Sequence, residues 1–405
     1  MTRYVLPALA ALGLASPALA QRLVGYDAGG LVHEFPSPPG GPCFAPTDPV
    51  ITFPTGGTLG GCLLPGAAPP GFGDIGVDTL NDTYWVTDGA ALGEYSRFGV
   101  PLSAYNGPWG ALGSITGLGV DTAGGLLWAT DGTFCQSFFL PATGSGCFAT
   151  LTPSAVPFLC TLSGALVTDV EWDPNFGVLW FAESCGTFGL TTAGALSFPL
   201  FPMFGCGLPL GPLEGIAVDT AGVVTGSPTP LIYATDRASI AYDSQSCCPA
   251  PPTAKIYPSA TCFLTPGPLQ GLAYTARPNH YGNATVCIPG SVPVMNTRGQ
   301  SVIGNTNFAF ELTGTVPNAA PFLLYSFAPL CPGFTFTWIP GCALTLWLIP
   351  KPPIAMPVTD AFGASTLPAP LNNTLLGACI YTQIFVFSNP NADLTDAMEV
   401  IVTLP

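Results

Sequence analysis

Three carboxylates stand in register along this chain. Four positions ahead of a recurring aspartate lie Asp74, Gly117, Asp169 and Gly215, with Gly271 ahead of a Thr at the same place, and one residue earlier lie Gly73, Thr116, Thr168, Glu214 and Gln270. Oxygen ligands brought together at one level suit Ca²⁺, which takes about six to eight of them, so Asp74, Asp169 and Glu214 are the candidate metal ligands. With Thr116 and Gln270 they form a candidate ligand-binding rim. The bland alternative is a ring of solvated acids at loop ends that binds nothing. No other constellation competes. Neither His33 nor His280 has a nucleophile and an acid at a recognised spacing, which removes support for a Ser-His-Asp catalyst. Phosphate-binding and dinucleotide loops are missing from the sequence, and catalytic residues stay unassigned.

The elements that position these residues are repeated. An apolar run ending in an acid, then a second apolar run ending in another acid, occurs four times: Ile75–Asp78 with Tyr84–Asp88, Leu118–Asp121 with Leu127–Asp131, Val170–Asp173 with Leu179–Glu183, and Ile216–Asp219 with Ile232–Asp236. The first acids, Asp78, Asp121, Asp173 and Asp219, recur at intervals of 43, 52 and 46 residues. Such periods, with several short strands per unit, predict the blades of a β-propeller. Turn sequences such as Asp121-Thr122-Ala123-Gly124-Gly125 join the two runs, so each copy begins as a hairpin. The first acid of each copy reads as a structural cap on turn amides.

A fifth copy, Gly271-Leu272-Ala273-Tyr274-Thr275, has Thr in place of the acid and supplies only inner strands. Its outer strands come from Arg22–Phe35, so both ends of the repeat share one blade and the ring closes with few exposed edges. The count is five blades, or six if residues 37–70 hold another. The long connection from Phe35 to Asp74 is expected to lie over the face that carries the rim.

Gly117–Asp121 and Leu127–Asp131 match GxxVD-like and (L/Y)WxTD-like runs, and by these the repeat resembles the YWTD and NHL classes of β-propeller over about residues 22–288. It is more loosely similar to the gluconolactonase-like propellers. That resemblance implies an alternative in which a bound metal polarises a carbonyl or activates water, making the chain a Ca²⁺-dependent hydrolase or lactonase. The family's metal site also uses asparagine side chains, and none stands at the aligned positions here.

Composition bounds the rest. Gly (49) and Pro (46) make up nearly a quarter of the 405 residues, against 8% charged and 48% hydrophobic. So many helix breakers exclude an all-α protein, and the low charge excludes disorder. Residues 1–20, with Arg3, an apolar stretch and Ala18-Leu19-Ala20, read as an export signal, which makes the mature chain secreted, extracellular or at a cell surface. Prolines break the most apolar later stretch, Ala320 to Val358, and no uninterrupted apolar segment of about 18 residues follows the signal, so no transmembrane segment is expected. Without Arg3 the net charge is −16, a surface that repels nucleic acid. The even count of 14 cysteines predicts disulfides, with Cys43–Cys62, Cys135–Cys147 and Cys331–Cys342 as local staples. Two histidines and no CxxC pair argue against zinc.

From about Ser291 the repeat stops. Some seven aromatic and β-branched runs in the last 115 residues predict an antiparallel β-sandwich. It resembles a C-terminal module of secreted bacterial proteins, which implies envelope association. Trp338 and Trp347 read as core packing, with an exposed strip as the alternative. The whole is therefore an all-β chain: signal 1–20, five-bladed propeller 21–289 and β-sandwich 290–405. Its expected role is exported, non-enzymatic binding of a protein, glycan or small ligand on the propeller's channel face.

Overall fold

The computed structural model describes residues 22–36, 51–148, 150–183, 186–202, 204–205, 208–209, 212–219, 231–237, 239–244, 263–264, 268–276, 278–281, 283–327 and 329–405. The expected export segment, Cys43 and the side chains of Asp219, His280 and Cys331 lie outside what is described.

Each repeat copy folds as an antiparallel sheet. The first runs Asp74–Asp78, Thr83–Thr87, Leu92–Ser96 and Pro101–Tyr105, with Gly146–Phe148 added in parallel at its outer edge. The second comprises Gly117–Asp121, Leu126–Thr130, Phe134–Phe139 and Phe158–Leu159. Val167–Asp173, Val178–Glu183, Gly186–Thr191 and Leu196–Pro202 build the third. The fourth contains Gly215–Asp219, Leu231–Thr235, Ser239–Ser244 and Phe263–Leu264. In the fifth, Leu269–Thr275 pairs with Arg22–Asp27, followed outward by Leu31–Pro36 and Ile51–Pro54. The N-terminal strand therefore does zip against the last inner strand, with Val24 opposite Ala273.

Inner strands of successive sheets touch one another, and that of the fifth touches the first, so the ring is closed. A closed ring of antiparallel sheets is a β-propeller. Between each pair of sheets sits one apolar layer. Trp85 meets Leu118 and Leu127 of the second sheet, Trp128 meets Val170 and Phe188 of the third, and Trp180 meets Ile216 and Ile232 of the fourth. Tyr233 meets Leu272 and Tyr274 of the fifth, while Val24 and Tyr26 close onto Ile75 and Tyr84. The aromatic residue of the second repeated run is thus the wedge between sheets. Covered on both faces, the inner strands are buried almost throughout.

Glycine decides how closely they approach. A Cβ on Gly117 would stand 2.5 Å from the Asp169 Cα and 2.8 Å from the Val170 nitrogen, and one on Gly271 would stand 2.5 Å from the Asp74 Cα. At this level the backbones of neighbouring inner strands lie against each other.

The long connection is organised differently from the cysteine reading. Cys62 bonds Cys147, 85 residues away, rather than Cys43, and Cys147 is thereby unavailable to Cys135. The physical cause is the parallel strand Gly146–Phe148, which brings the excursion after the second sheet's third strand to the edge of the first sheet. Glu94, fully buried, secures the same junction by accepting from Thr83 Oγ1, Ser103 Oγ and the Gly144 amide at 3.1, 2.7 and 3.2 Å. In the last third Cys342 bonds Cys287 instead of Cys331.

The C-terminal part has a five-stranded antiparallel sheet, in order Asn279–Tyr281, Asn391–Ile401, Cys379–Ser388, Ala320–Ser326 and Ile354–Ala355. It packs one face on the sheet Val294–Arg298, Ala309–Thr313 and Ser365–Pro368 across a core of Met295, Phe308, Leu312, Ile384 and Met398. The hairpin Pro329–Ile339 with Cys342–Leu348 covers the other face. The strand Asn279–Tyr281 already belongs to this part by pairing, ten residues before the repeat's expected end. Trp338 is 39% exposed, lies against Phe385 and Phe387, and donates its Nε1–H to the Pro390 carbonyl. Among the described residues no helix is long and apolar enough to cross a membrane.

Candidate functional site

Asp74 opens the inner strand of the first sheet, Asp169 is the third residue of the inner strand of the third, and both are completely buried. Each reaches over to the next sheet of the ring. Asp74 Oδ2 accepts the Leu118 amide at 2.5 Å, and Asp169 Oδ2 accepts the Ile216 amide at 2.6 Å. Neither Oδ1 receives an N–H or hydroxyl proton from the protein; instead the two carboxyls lie within hydrogen-bonding range of each other. Burial raises both pKa values, Asp169 to about 7 and Asp74 well above the carboxylate range, where the neighbouring Asp169 charge adds to the effect. Both shifts run in the direction that favours a proton held between the two carboxyls. The pair is a proton-sharing clasp across the ring.

Glu214 does not join it. It sits one residue out of step with Gly215, and alternate residues of a strand point to opposite sides. Its carboxylate faces Arg237 (Oε1 to Nε, 3.8 Å) and Gly71 of the long connection, with burial raising its pKa and Arg237 opposing the rise. The other residues at that position also tie neighbouring connections. Thr116 Oγ1 donates to the carbonyls of Thr130 and Val167, Thr168 Oγ1 to that of Leu213, and Gln270 Nε2 to that of Ala68 at 3.0 Å. Among the described residues no three His, Cys, Asp or Glu side chains gather closely enough to hold a metal ion. A calcium cage of about six to eight oxygens is not what this arrangement offers, since each Oδ2 is already engaged by a backbone amide.

The first acids of the repeat serve their turns. Asp78 accepts the Leu80 and Asn81 amides, Asp121 the Gly124 amide at 2.8 Å, and Asp173 the Asn175 and Phe176 amides together with Trp180 Nε1.

Over the rim lies the segment from Pro65 to Gly73. The Gly66 amide donates to Asp88 Oδ2 at 2.9 Å, the Tyr26 hydroxyl donates to the Gly66 carbonyl, and Gln270 holds Ala68. Between this segment and the connection from the first sheet to the second is a cavity of about 490 Å³, lined by Pro69, Phe72, Asp88, Pro108, Trp109 and Leu112 among others. Phe72 is 39% exposed, whereas the Trp109 ring is almost wholly buried. Asp88 also caps its own turn, accepting the Ala90 and Ala91 amides at 3.0 and 2.8 Å. Sequence reasoning passed over these residues; the one available signal was an aromatic between turn residues, Gly107-Pro108-Trp109-Gly110, in an outer-to-inner connection. It also passed over Glu171, two residues along from Asp169 on the same side of its strand. Glu171 Oε2 is buried without a partner, and burial, then Asp169 and Asp173, raise its pKa well above the carboxylate range.

No family model matches this chain, and no curated protein matches it. Among solved structures it is similar to a chain of the nidogen–laminin complex, at 13% identity and a TM-score of 0.36 over 63% of this chain and 98% of that one. A Bacteroides caccae protein of unknown function gives 8% and 0.38, covering 63% of this chain and 98% of the other. Myxococcus xanthus glutaminyl cyclase gives 11% and 0.29, covering 61% and 86%.

Proposed function

We propose that this chain is an exported binding or surface-interaction protein without catalytic activity: a five-bladed β-propeller over 21–289 followed by an antiparallel β-sandwich over 290–405. Ligand contact takes place on the face that carries the outer-to-inner connections. The observation that carries this reading is how the central acids are used. Asp74 and Asp169 are sealed under backbone and spend their oxygens on the amides of Leu118 and Ile216 and on each other, which is the work of a clasp. The face beyond them instead offers the groove of Pro69, Phe72, Pro108, Trp109 and Leu112, whose volume falls in the range of about 300–1,000 Å³ usual for small-ligand sites. Few charges line it, so it favours an apolar or aromatic ring face, such as a sugar or a peptide side chain.

Glycan and peptide arrays probed with the whole chain, alongside a lactone and ester hydrolysis screen, test the reading. Binding that Phe72→Ala weakens at least tenfold, and that Asp169→Asn leaves intact, is the expected result. Hydrolysis that disappears in Asp169→Asn would overturn it in favour of the metal-dependent hydrolase.

A further inference from the structure

Two buried thiols meet at the outer edge of the second sheet. Cys135 lies on Phe134–Phe139, directly opposite Thr130 on one side and Phe158 on the other. Cys160 follows Phe158–Leu159, and its amide donates to the Thr133 carbonyl at 2.9 Å, extending that ladder by one step. Opposed residues share a side of the sheet, as do residues two apart, so Cys160, opposite Thr133, projects to the same side as Cys135. Cys160 Sγ reaches inward as far as Thr130 Oγ1, at 3.3 Å. Thr130 is also the residue facing Cys135, so both cysteines, free thiols in this structure, converge on one neighbour. Both cysteines are fully buried, in one apolar layer with Trp128, Val170 and Phe188.

From this placement we infer that Cys135 and Cys160 form a further disulfide, beyond the bonds Cys62–Cys147 and Cys287–Cys342 seen among the described residues. Its place is mechanical. Phe158–Leu159 is a two-residue edge strand held by two register pairs, and the chain between it and Phe139 carries Cys147, the anchor to the first sheet. A Cys135–Cys160 bond pins the return end of that excursion while Cys147 pins its middle.

The chemistry requires a disulfide as oxidant. The Cys160 thiolate attacks one sulfur of oxidised glutathione, expelling one glutathione thiolate and leaving a mixed disulfide. The Cys135 thiolate then attacks Cys160 Sγ and expels the second. Two protein thiols become one S–S bond, and the oxidant leaves as two thiols. In the folded chain burial raises the Cys160 thiol to about 12 and pushes Cys135 up as well, so thiolate is scarce there and the bond forms during folding, before the edge strand closes.

The test uses the wild-type chain, denatured and reduced, then refolded in glutathione buffers of rising oxidised fraction until Cys62–Cys147 is complete. Acid quenching, alkylation in denaturant without reductant, and peptide mapping follow. The expected result is Cys135 and Cys160 unalkylated and joined to each other. Alkylation of both while Cys62–Cys147 is joined would overturn the inference, as would either one joined to a different cysteine. A second readout is thermal: Cys135→Ala, Cys160→Ala and the double variant should lower Tm equally, on the order of 5 °C. Additive losses in the double variant would count against a bond.

Discussion

The clasp between Asp74 and Asp169 predicts an unusual direction for the pH dependence of stability. The Asp169 carboxyl is held at about 7, against about 3.9 in an unfolded chain. A pKa raised by folding means that the native state binds more protons than the unfolded state between those values. Its contribution is complete below the unfolded pKa and is lost as pH rises through the native one. Every step of one pH between the two values removes about 1.4 kcal/mol, so from pH 5 to pH 8 this one group takes away about 3 kcal/mol of stability. The decisive variant is Asp169→Asn. The amide oxygen still accepts the Ile216 N–H, the side-chain volume is kept, and no charge appears at position 169 at any pH. Denaturant titrations followed by tryptophan fluorescence at fixed ionic strength, at pH 5 and pH 8, give both stabilities. The wild type should lose stability over that interval, and Asp169→Asn should lose about 3 kcal/mol less. Glu399 in the C-terminal part, lifted by burial to about 7, contributes a loss of the same sign, so Glu399→Gln serves as the independent comparison. A wild type more stable at pH 8, or an Asp169→Asn variant with an unchanged pH loss, would refute the shared-proton clasp.

Two further outcomes follow from packing. Gly117→Ala puts a methyl group 2.5 Å from the Asp169 Cα, backbone that cannot swing aside, and should destabilise by about 2 kcal/mol or more in thermal unfolding. An unchanged Tm would show that the inner strands are not in contact. Cys62→Ser and Cys147→Ser should each cost about 2–4 kcal/mol, with no further loss in the double variant, since either one opens the same long loop.

How much could be read in advance varies with the range of the interaction. The hairpins of Gly117–Asp121 with Leu126–Thr130, and their relatives, are local: apolar runs, turn residues and a capping acid lie within about fifteen residues, and the sequence states all of them. Pairing of Arg22–Asp27 with Leu269–Thr275 is distant, yet it too was legible, because a last copy short of outer strands leaves an edge that the chain's beginning can fill. The cysteine pairs were not legible by spacing. Cys62 and Cys147 meet because a three-residue parallel strand leaves the second sheet's excursion and joins the first sheet, and no periodicity announces that crossing.

Composition and repetition by themselves determined an all-β chain of recurring sheets, with a different unit after them, because strand-forming runs and their turns are short-range properties of the chain. Which acids meet was decided only by the tertiary structure. The sequence already sets Glu214 one residue out of phase with Asp74 and Asp169, but only the fold shows that this phase turns it toward Arg237. Glycines at 117, 215 and 271 let the inner strands come close enough for the two remaining acids to touch. Contact between residues 95 positions apart depends on how tightly a ring closes, a property of all its sheets together.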